Sequence, residues 1–388
     1  NERDGGVNGI KIAFEECETG YATDRGVECY ERLKGKNGGA TVFQPLSTGI
    51  TFALTEKAPG DKIPLITAGY GRSDTTDGNV FKWNFPLTGT YWDAADVLVQ
   101  HIAKKEGGLA KLKGKKIALV YHDSPYGKEP IPLLQERSKM HGFDLQLLPV
   151  ASPGIEQKAT WLQIRQARPD YVLLWGWGVM NSTAIKEAQA TGYPREKMYG
   201  VWWSGAEPDV KDVGEGAKGY NAITMQHGAE PQSAVVKEIL EKVHGKGQGT
   251  GPKEEVGQVL YMRGVMSAMM GVEGVRAAQE RYGKGKWMSP EQARWGYENL
   301  ALDQKKLDAW WQERGWRGDA NDIPVLVIDG FFDVESREVR RLTSDRYADL
   351  QPAFSPDGKT IALVAGRGVW HQFQGEPSLA LWLVGGDG

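Results

Sequence analysis

Five loops in this sequence carry side chains suited to hold a small polar molecule, and each follows a predicted strand and precedes a predicted helix. They are residues 47–49, 69–71, 123–127, 176–178 and 204–205. In an open α/β sheet the ligand crevice lies outside the carboxyl ends of the strands, so loops in that position meet at one site. Any one of them is explained by ordinary turn chemistry, because Gly, Ser and Asp favour turns. The whole set, with Tyr or Trp in three loops, predicts a binding site.

The chemistry available in these loops is recognition. Hydroxyl groups at Ser47 and Thr48, beside free backbone N–H groups at a helix start, suit a carboxylate. Glu207 and Asp209, just beyond the last loop, can take an ammonium group. Aromatic side chains that can wall an apolar or cationic group are Tyr70, Tyr126, Trp175, Trp177, Trp202 and Trp203. Trp203 and its neighbour Trp202 point to opposite faces of a strand, so at least one of them is expected in the core.

Catalytic signatures are absent from the sequence. It contains no GxSxG elbow, no HExxH pair and no GxGxxG after a strand. His122 beside Asp123 at a strand end is an acid–base candidate, but no nucleophile or metal partner accompanies it. The sequence therefore predicts a protein that is not an enzyme and that has no metal and no cofactor.

Charge and composition narrow the class of partner and the compartment. The formal net charge of −3 argues against nucleic acid as a partner and against a polybasic membrane anchor. No apolar run approaches the roughly 18 residues of a membrane span. Cys17 and Cys29 form either a local disulfide, as in exported proteins, or two buried thiols. Because the chain starts at Asn1, we expect a processed, exported protein whose signal sequence is absent.

Strand-like and helix-like segments alternate over the first 230 residues. The predicted strands are Gly9–Phe14, Ala40–Phe43, Ile63–Thr67, Lys116–His122, Leu145–Val150, Tyr171–Trp177, Met198–Trp203 and Tyr220–Gln226. The amphipathic segments between them are Ala22–Leu33, Trp92–Lys104, Gly127–His141, Gln157–Gln166 and Asn181–Thr191. Continuous apolar strands separated by helices indicate parallel strands covered on both faces, which is a doubly wound α/β architecture.

The last third of the chain has a different pattern. Residues 255–282 are predicted to form one long helix that buries Val259, Leu260, Met266 and Met270. After about residue 319 the pattern becomes all-β, with predicted strands at Ile323–Ile328, Thr360–Val364 and Leu379–Val384. We therefore expect a β-rich tail that does not continue the α/β alternation.

From Asn1 to about Asp303 the chain resembles the substrate-binding proteins of branched-chain-amino-acid-type ABC transporters, which have the type I periplasmic fold. The resemblance is carried by CETGYATDRGVECYERL, PLSTGIT, IPLITAGYGR, KKIALVYHDSPYGKE and GVWWSGAE, in that order. It implies two lobes with the ligand clamped between them. It further implies that Ser47, Thr48, Gly69 and Tyr70 bind the ligand's carboxylate, and that Tyr126 and Trp177 face it from the other lobe.

The chain departs from the family pattern in three places. Ser204 stands where the family has an ammonium-binding Glu, with Glu207 nearby, so an amide or an aromatic acid competes with an α-amino acid as ligand. The family's first strand is expected to precede Asn1. Residues 308–338 resemble X-prolyl-peptidase-like α/β-hydrolases, with Asp333 at the triad acid, and residues 341–388 resemble one blade of a TolB-type propeller.

The sequence thus predicts an α/β protein with two doubly wound parallel-sheet lobes and an atypical tail. Lobe I is expected at residues 1–115 and 253–305, without its first strand, lobe II at 116–252, and the tail at 306–388. The predicted function is the periplasmic solute-binding component of an ABC importer, monomeric, with a permease of the inner membrane as partner. The alternatives are a ligand sensor with the same clamp and a non-functional hydrolase/propeller fusion fragment.

Overall fold

The computed structural model describes residue 1, residues 5–225 and 234–302, and the backbone of five short strands in the tail. The strands are β1 Leu65–Thr67, β2 Asn84–Pro86, β3 Lys116–His122, β4 Asp144–Val150, β5 Tyr171–Trp175, β6 Met198–Gly200, β7 Asn221–Ala222, β8 Phe331–Asp333, β9 Glu338–Arg340, β10 Asp349–Phe354, β11 Thr360–Ala365 and β12 Ala380–Gly385.

Twelve α-helices are assigned within the described residues. They are α1 Thr23–Leu33, α2 Thr48–Thr55, α3 Ala58–Asp61, α4 Tyr91–Glu106, α5 Pro125–Lys128, α6 Ile131–His141, α7 Lys158–Ala167, α8 Val179–Ala190, α9 Glu207–Lys211, α10 Ala234–Lys242, α11 Val259–Tyr282 and α12 Pro290–Leu302. The segment predicted as one helix over Gly127–His141 is two helices, because Pro130 lacks the N–H that a continuous helix needs. The helix predicted, without bounds, to follow residues 47–49 is α2. No segment was predicted for α3, α10 or α12.

The larger sheet has five parallel strands in the order β4-β3-β5-β6-β7. This order is the doubly wound one in which the first strand of the unit lies between the second and the third. The chain reverses its direction of winding between β3 and β5, so a crevice opens at the carboxyl ends of these two strands. The predicted strands in this region are present, and β3 matches at both ends. Strand β6 ends three residues before the predicted end, and β7 is reduced to two residues of the predicted segment.

Both faces of this sheet are covered by helices, which explains why its strands are apolar on successive residues. Helix α4 packs Leu98 and Ile102 on one face, against Ile117 and Leu119 of β3. Helices α7 and α8 cover the other face and bury residues such as Trp161. Each such aliphatic side chain contributes roughly 1.5–3 kcal/mol by leaving water. We call this sheet with its helices the second lobe.

The smaller sheet consists of the parallel strands β1 and β2 and a single bridge from Phe43 to Leu65. We call this sheet together with helices α1–α3 the first lobe. The predicted strand Ala40–Phe43 is thus reduced to that bridge. The predicted strand Gly9–Phe14 is wrong: the chain makes only a Val7–Ile10 bridge there and is otherwise exposed. Apolar alternation forms a strand only where a neighbouring strand accepts its backbone hydrogen bonds.

Helix α11 connects the two lobes. Its later turns contact the first lobe, where Ser267 and Gln44 exchange hydrogen bonds. Its first turn contacts the second lobe through Val259 and Arg263. The helix begins four residues after the predicted start, and Leu260, predicted to be buried, is exposed. The predicted lobe boundaries stay predictions, and α4, which precedes residue 115, packs on the sheet of the second lobe.

A disulfide joins Cys17 to Cys29, with Cα atoms 5.9 Å apart. It ties the exposed segment before α1 to the buried side of that helix. In the tail the described strands pair antiparallel, β8 with β9 and β10-β11-β12 in one sheet. The predictions at Thr360–Val364 and Leu379–Val384 match β11 and β12 to within one residue at each end. The prediction at Ile323–Ile328 lies outside the described residues.

Candidate functional site

The loops that follow β3 and β5 meet at the crevice where the winding reverses. The hydroxyl of Tyr126 donates a 2.9 Å hydrogen bond to the carbonyl of Gly176. Tyr126 is held there by a short helix whose first turn is capped by Ser124. Two of the predicted site loops are therefore joined directly across the crevice.

One carbonyl oxygen of the first lobe binds two side chains of the second lobe. Gly69, in the loop after β1, accepts hydrogen bonds from the indole N–H groups of Trp202 at 2.6 Å and Trp203 at 3.0 Å. Gly69 has φ +74°, and a Cβ atom there would lie 3.0 Å from the Trp202 indole nitrogen and closer still to Met225. Only glycine permits this approach of one backbone to the aromatic side chains of the other lobe.

Ser47 and Thr48 lie at the N-terminus of α2, as the carboxylate prediction requires. The Ser47 hydroxyl accepts from the Ile50 N–H at 3.3 Å and caps the helix, and the Thr48 hydroxyl accepts from the Gly71 N–H at 3.3 Å. Burial raises the pKa of the neighbouring Tyr91 well above its usual value, and hydrogen bonding with Thr48 and Trp203 opposes that shift. The hydroxyls are therefore buried and next to a neutral phenol.

Aromatic rings fill the space beneath these loops. We define the aromatic cluster as Tyr91, Tyr126, Trp175 and Trp202. The ring of Tyr91 lies 5.2 Å from Tyr126, 6.0 Å from Trp175 and 5.8 Å from Trp202, to which it is stacked. All four side chains are buried. Of the adjacent pair, Trp202 is a core residue and Trp203 is only partly buried. The prediction that they point to opposite faces of a strand is wrong, because β6 ends at Gly200 and both indole N–H groups reach the Gly69 carbonyl.

Trp177 and Tyr70 occupy opposite sides of the site. Trp177 is 37% exposed, and its ring lies 4.9 Å from Tyr21 and 5.7 Å from His122. Tyr70 is buried, 6.3 Å from the Trp203 ring. Burial lowers the pKa of His122, which favours a neutral imidazole at neutral pH. Trp177 is therefore the predicted aromatic side chain that faces solvent at the mouth of the site.

Ser204 and Glu207 have hydrogen-bonding partners within the protein. The fully buried Ser204 hydroxyl accepts from the Gly176 N–H at 3.1 Å and donates to the Gly176 carbonyl at 2.7 Å. The Glu207 carboxylate accepts from the N–H of Val259, at 3.0 and 3.2 Å from its two oxygens. Glu207 therefore occupies the N-terminus of α11, where its charge complements the helix dipole.

Arg263, on the first turns of α11, was not predicted. It is 3% exposed, donates from Nη1 to the Trp202 carbonyl at 2.7 Å, and lies 4.4 Å beneath the Trp203 ring. Its Nε and Nη2 atoms are buried without a hydrogen-bond partner. Burial lowers its pKa to about 10. A sequence signal existed, because positions 259, 263, 266 and 270 recur at helical spacing and the other three are buried and apolar.

Tyr21, Tyr91 and Glu129 were also missed. Tyr21 precedes α1 by two residues, and Tyr91 is the first residue of α4. Both lie outside the strand-end loops on which the prediction relied. Among the described residues no three His, Cys, Asp or Glu side chains gather as metal ligands. No helix in the described part of the chain has the length and apolar character to cross a membrane.

A model of the family "Periplasmic binding protein" matches residues 1–304. A solved structure from the Pseudomonas fluorescens group, described as an ABC transporter permease, is 41% identical over 82% of this chain and 76% of its own, with a TM-score of 0.72. The chain belongs to the periplasmic binding protein family. Its two α/β lobes are those of the type I fold, and the resemblance predicted for residues 1 to about 303 is confirmed. The resemblances of the tail stay predictions.

More distant relatives of the family share the fold. A branched-chain amino acid ABC transporter protein from Thermus thermophilus, solved with valine, is 23% identical over 75% of this chain and 72% of its own, with a TM-score of 0.64. A solute-binding protein of an ABC transporter from R. palustris, solved with benzoate, is 14% identical over 99% of this chain and 88% of its own, with a TM-score of 0.58. No curated protein matches the chain.

Membership of this family establishes a solute-binding role and a location outside the cytoplasm. The family works by binding its substrates rather than by converting them.

Proposed function

We propose that this protein is the periplasmic solute-binding component of an ABC importer and clamps one small amino-acid-like, amide or organic-acid ligand between its two lobes. The observation that supports the proposal is the contact at Gly69, whose carbonyl accepts hydrogen bonds from Trp202 and Trp203 of the other lobe. The loops predicted from both lobes therefore converge on one place. Closure of two lobes around a ligand is a hinge motion of the kind that these clamps use.

In this proposal Ser47, Thr48, Gly69 and Tyr70 bind the ligand from the first lobe. Ser47 and Thr48 support it because they lie at the N-terminus of α2, where N–H groups and the helix dipole favour an anion. The residues proposed to face the ligand from the second lobe are Tyr126, Trp177, Trp203 and Ser204. Glu207, predicted with them, binds the Val259 N–H, and we propose that it caps α11 instead. Trp177 supports the proposal most directly, because it offers a ring to solvent beside Tyr21.

The proposed protein acts as a monomer, carries out no reaction and delivers its ligand to a permease of the inner membrane. A His122–Asp123 acid–base pair is not supported, because the imidazole Nδ1 contacts Ser124 at 2.8 Å and Asp123 forms an ion pair with Lys128. The absence of a visible nucleophile in the sequence agrees with binding without turnover.

A ligand screen by thermal unfolding tests the proposal. The panel contains L-valine and L-leucine, benzoate and 3-methylbutanoate, and the amides of these two acids. A ligand at 100 times its dissociation constant adds roughly 2.7 kcal/mol of stability and raises the melting temperature by a few degrees. The Trp177→Ala variant is expected to lose the shift, whereas Trp287→Ala, whose side chain is 54% exposed, retains it. A cooperative transition that no member of the panel moves would contradict the proposal.

A further inference from the structure

Arg263 is a buried cation whose charge is not matched by an anion in the described part of the chain. No carboxylate among the described residues forms an ion pair with it. Its contacts are the Trp202 carbonyl and the face of the Trp203 ring. Buried charges in proteins are paired or coordinated, because an isolated charge loses its hydration. Arg263 therefore lacks the partner that its burial requires.

The two unpaired donors form one edge of the guanidinium. Arg72 in the same chain shows what that edge binds: its Nε and Nη2 hold the two carboxylate oxygens of Asp74 at 2.9 and 2.6 Å. In Arg263 the same two atoms are buried and unpartnered, while Nη1 is occupied by Trp202. The planar fork matches a carboxylate with two parallel hydrogen bonds. The orphaned edge is thus complementary to a carboxylate.

The location of Arg263 connects it to the proposed ligand site. Its guanidinium lies 4.4 Å from the Trp203 ring, whose indole N–H donates to the carbonyl of Gly69, a residue of the proposed ligand site. The nearby acidic side chains have other partners: Glu207 binds the Val259 N–H, and Asp209 accepts from the Ala206 N–H at 2.9 Å. The described site therefore contains one buried cation, Arg263, and neither Glu207 nor Asp209 neutralises it.

We propose that Arg263 binds the carboxylate of the ligand and that the site selects small organic anions over neutral amides and over amino-acid zwitterions. This inference rests on the proposed function and narrows its ligand class. A monocarboxylate neutralises the guanidinium fully. A zwitterion brings an ammonium group, whereas the two acidic side chains described near the site, Glu207 and Asp209, already bind backbone N–H groups. An amide leaves the guanidinium charged in a dry site.

Calorimetric titration of the full chain tests this inference with matched pairs: benzoate against benzamide, and 3-methylbutanoate against its amide and against L-valine. The wild type is expected to bind the carboxylate at least roughly tenfold more tightly than the matched amide. Arg263→Gln is expected to weaken carboxylate binding by roughly 100-fold and to abolish the preference over the amide. Arg276→Gln, on the same helix but paired with Glu273, is the matched control and keeps the wild-type preference.

The melting temperature without ligand gives a second readout. Removal of an unpaired buried charge is expected to leave the melting temperature of Arg263→Gln unchanged or raised, because no ion pair is broken. If Arg263→Gln melts several degrees lower and keeps the carboxylate preference, Arg263 has a structural role and the inference is overturned. If amides or L-valine bind best, the proposed function stands and the inference fails. If no ligand binds any form, the proposed function fails and the inference falls with it.

Discussion

The carboxylate of Glu129, between α5 and α6 of the second lobe, accepts two hydrogen bonds from Ser73 of the first lobe, one from its hydroxyl at 2.5 Å and one from its N–H at 2.9 Å. Burial raises the pKa of Glu129 to about 7, and Asp74 adds to the shift, while the Ser73 bonds and Arg72 oppose it. The contact between the lobes therefore contains a carboxyl group that changes its charge near neutral pH.

We predict that this group makes the protein less stable as pH rises. The folded pKa of Glu129, about 7, lies above its ordinary value of 4.5, so the folded state holds a proton that the unfolded state has released. The stabilisation is complete below about pH 4.5 and is lost as pH rises to about 7, by about 3 kcal/mol in total. Urea unfolding between pH 4.5 and 8 measures this slope.

The Glu129→Gln variant is expected to show a flatter dependence of unfolding free energy on pH, because the amide does not ionise. Glu241→Gln, at an exposed position of α10, is the control and should follow the wild-type curve. Equal slopes for wild type and Glu129→Gln would show that Glu129 does not titrate in this range.

Gly69→Ala is predicted to break the hydrogen bonds that Trp202 and Trp203 donate to the Gly69 carbonyl, and so to weaken the contact between the lobes. The added methyl group meets Met225 and the Trp202 indole, and the position has φ +74°, so both strain and steric overlap destabilise the variant. Gly192→Ala is a matched control, since Gly192 has φ +72° and nothing within 4 Å of an added Cβ. The difference between the two variants in unfolding free energy is expected to be about 1–3 kcal/mol.

Glu207→Gln is predicted to weaken the start of α11 rather than carboxylate binding. Loss of the charge at the helix N-terminus is expected to cost about 0.5–2 kcal/mol of unfolding free energy. Glu215→Gln, at an exposed site, controls for the lost surface charge. Titration with benzoate distinguishes the roles: an unchanged affinity agrees with a capping residue, and a large change would place Glu207 in contact with the ligand.

Replacement of both Cys17 and Cys29 by serine is predicted to cost about 3 kcal/mol of unfolding free energy. The disulfide closes a loop of 12 residues, and a loop of that size restricts the unfolded chain to about that extent. Thermal unfolding of the double variant and of the wild type with reductant should agree. If reductant leaves the stability of the wild type unchanged while the double variant is strongly destabilised, the loss of stability comes from the packing of the buried Cys29 side chain and not from the disulfide.

The sequence by itself determined the second lobe and most of its loops. Strand β3 is apolar over successive residues and ends in the turn residues of Asp123 to Gly127, and both signals act over a few residues. For the same reason the strand-end loops with Ser47, Tyr70 and Trp177 were found. Periodicity failed at Gly9–Phe14, where the residue pattern suits a strand but no neighbouring strand pairs with it.

Tertiary structure alone decided the contacts within the site. The bonds from Trp202 and Trp203 to Gly69 join residues 133 and 134 positions apart, and the Arg263–Trp202 bond spans 61 positions. Local patterns record which faces of a strand or helix are buried, and they do not record which buried faces meet. The unpartnered Nε and Nη2 donors of Arg263 result from the packing of α11 on the second lobe. This packing removes water from the guanidinium, and no carboxylate of the described residues replaces that water.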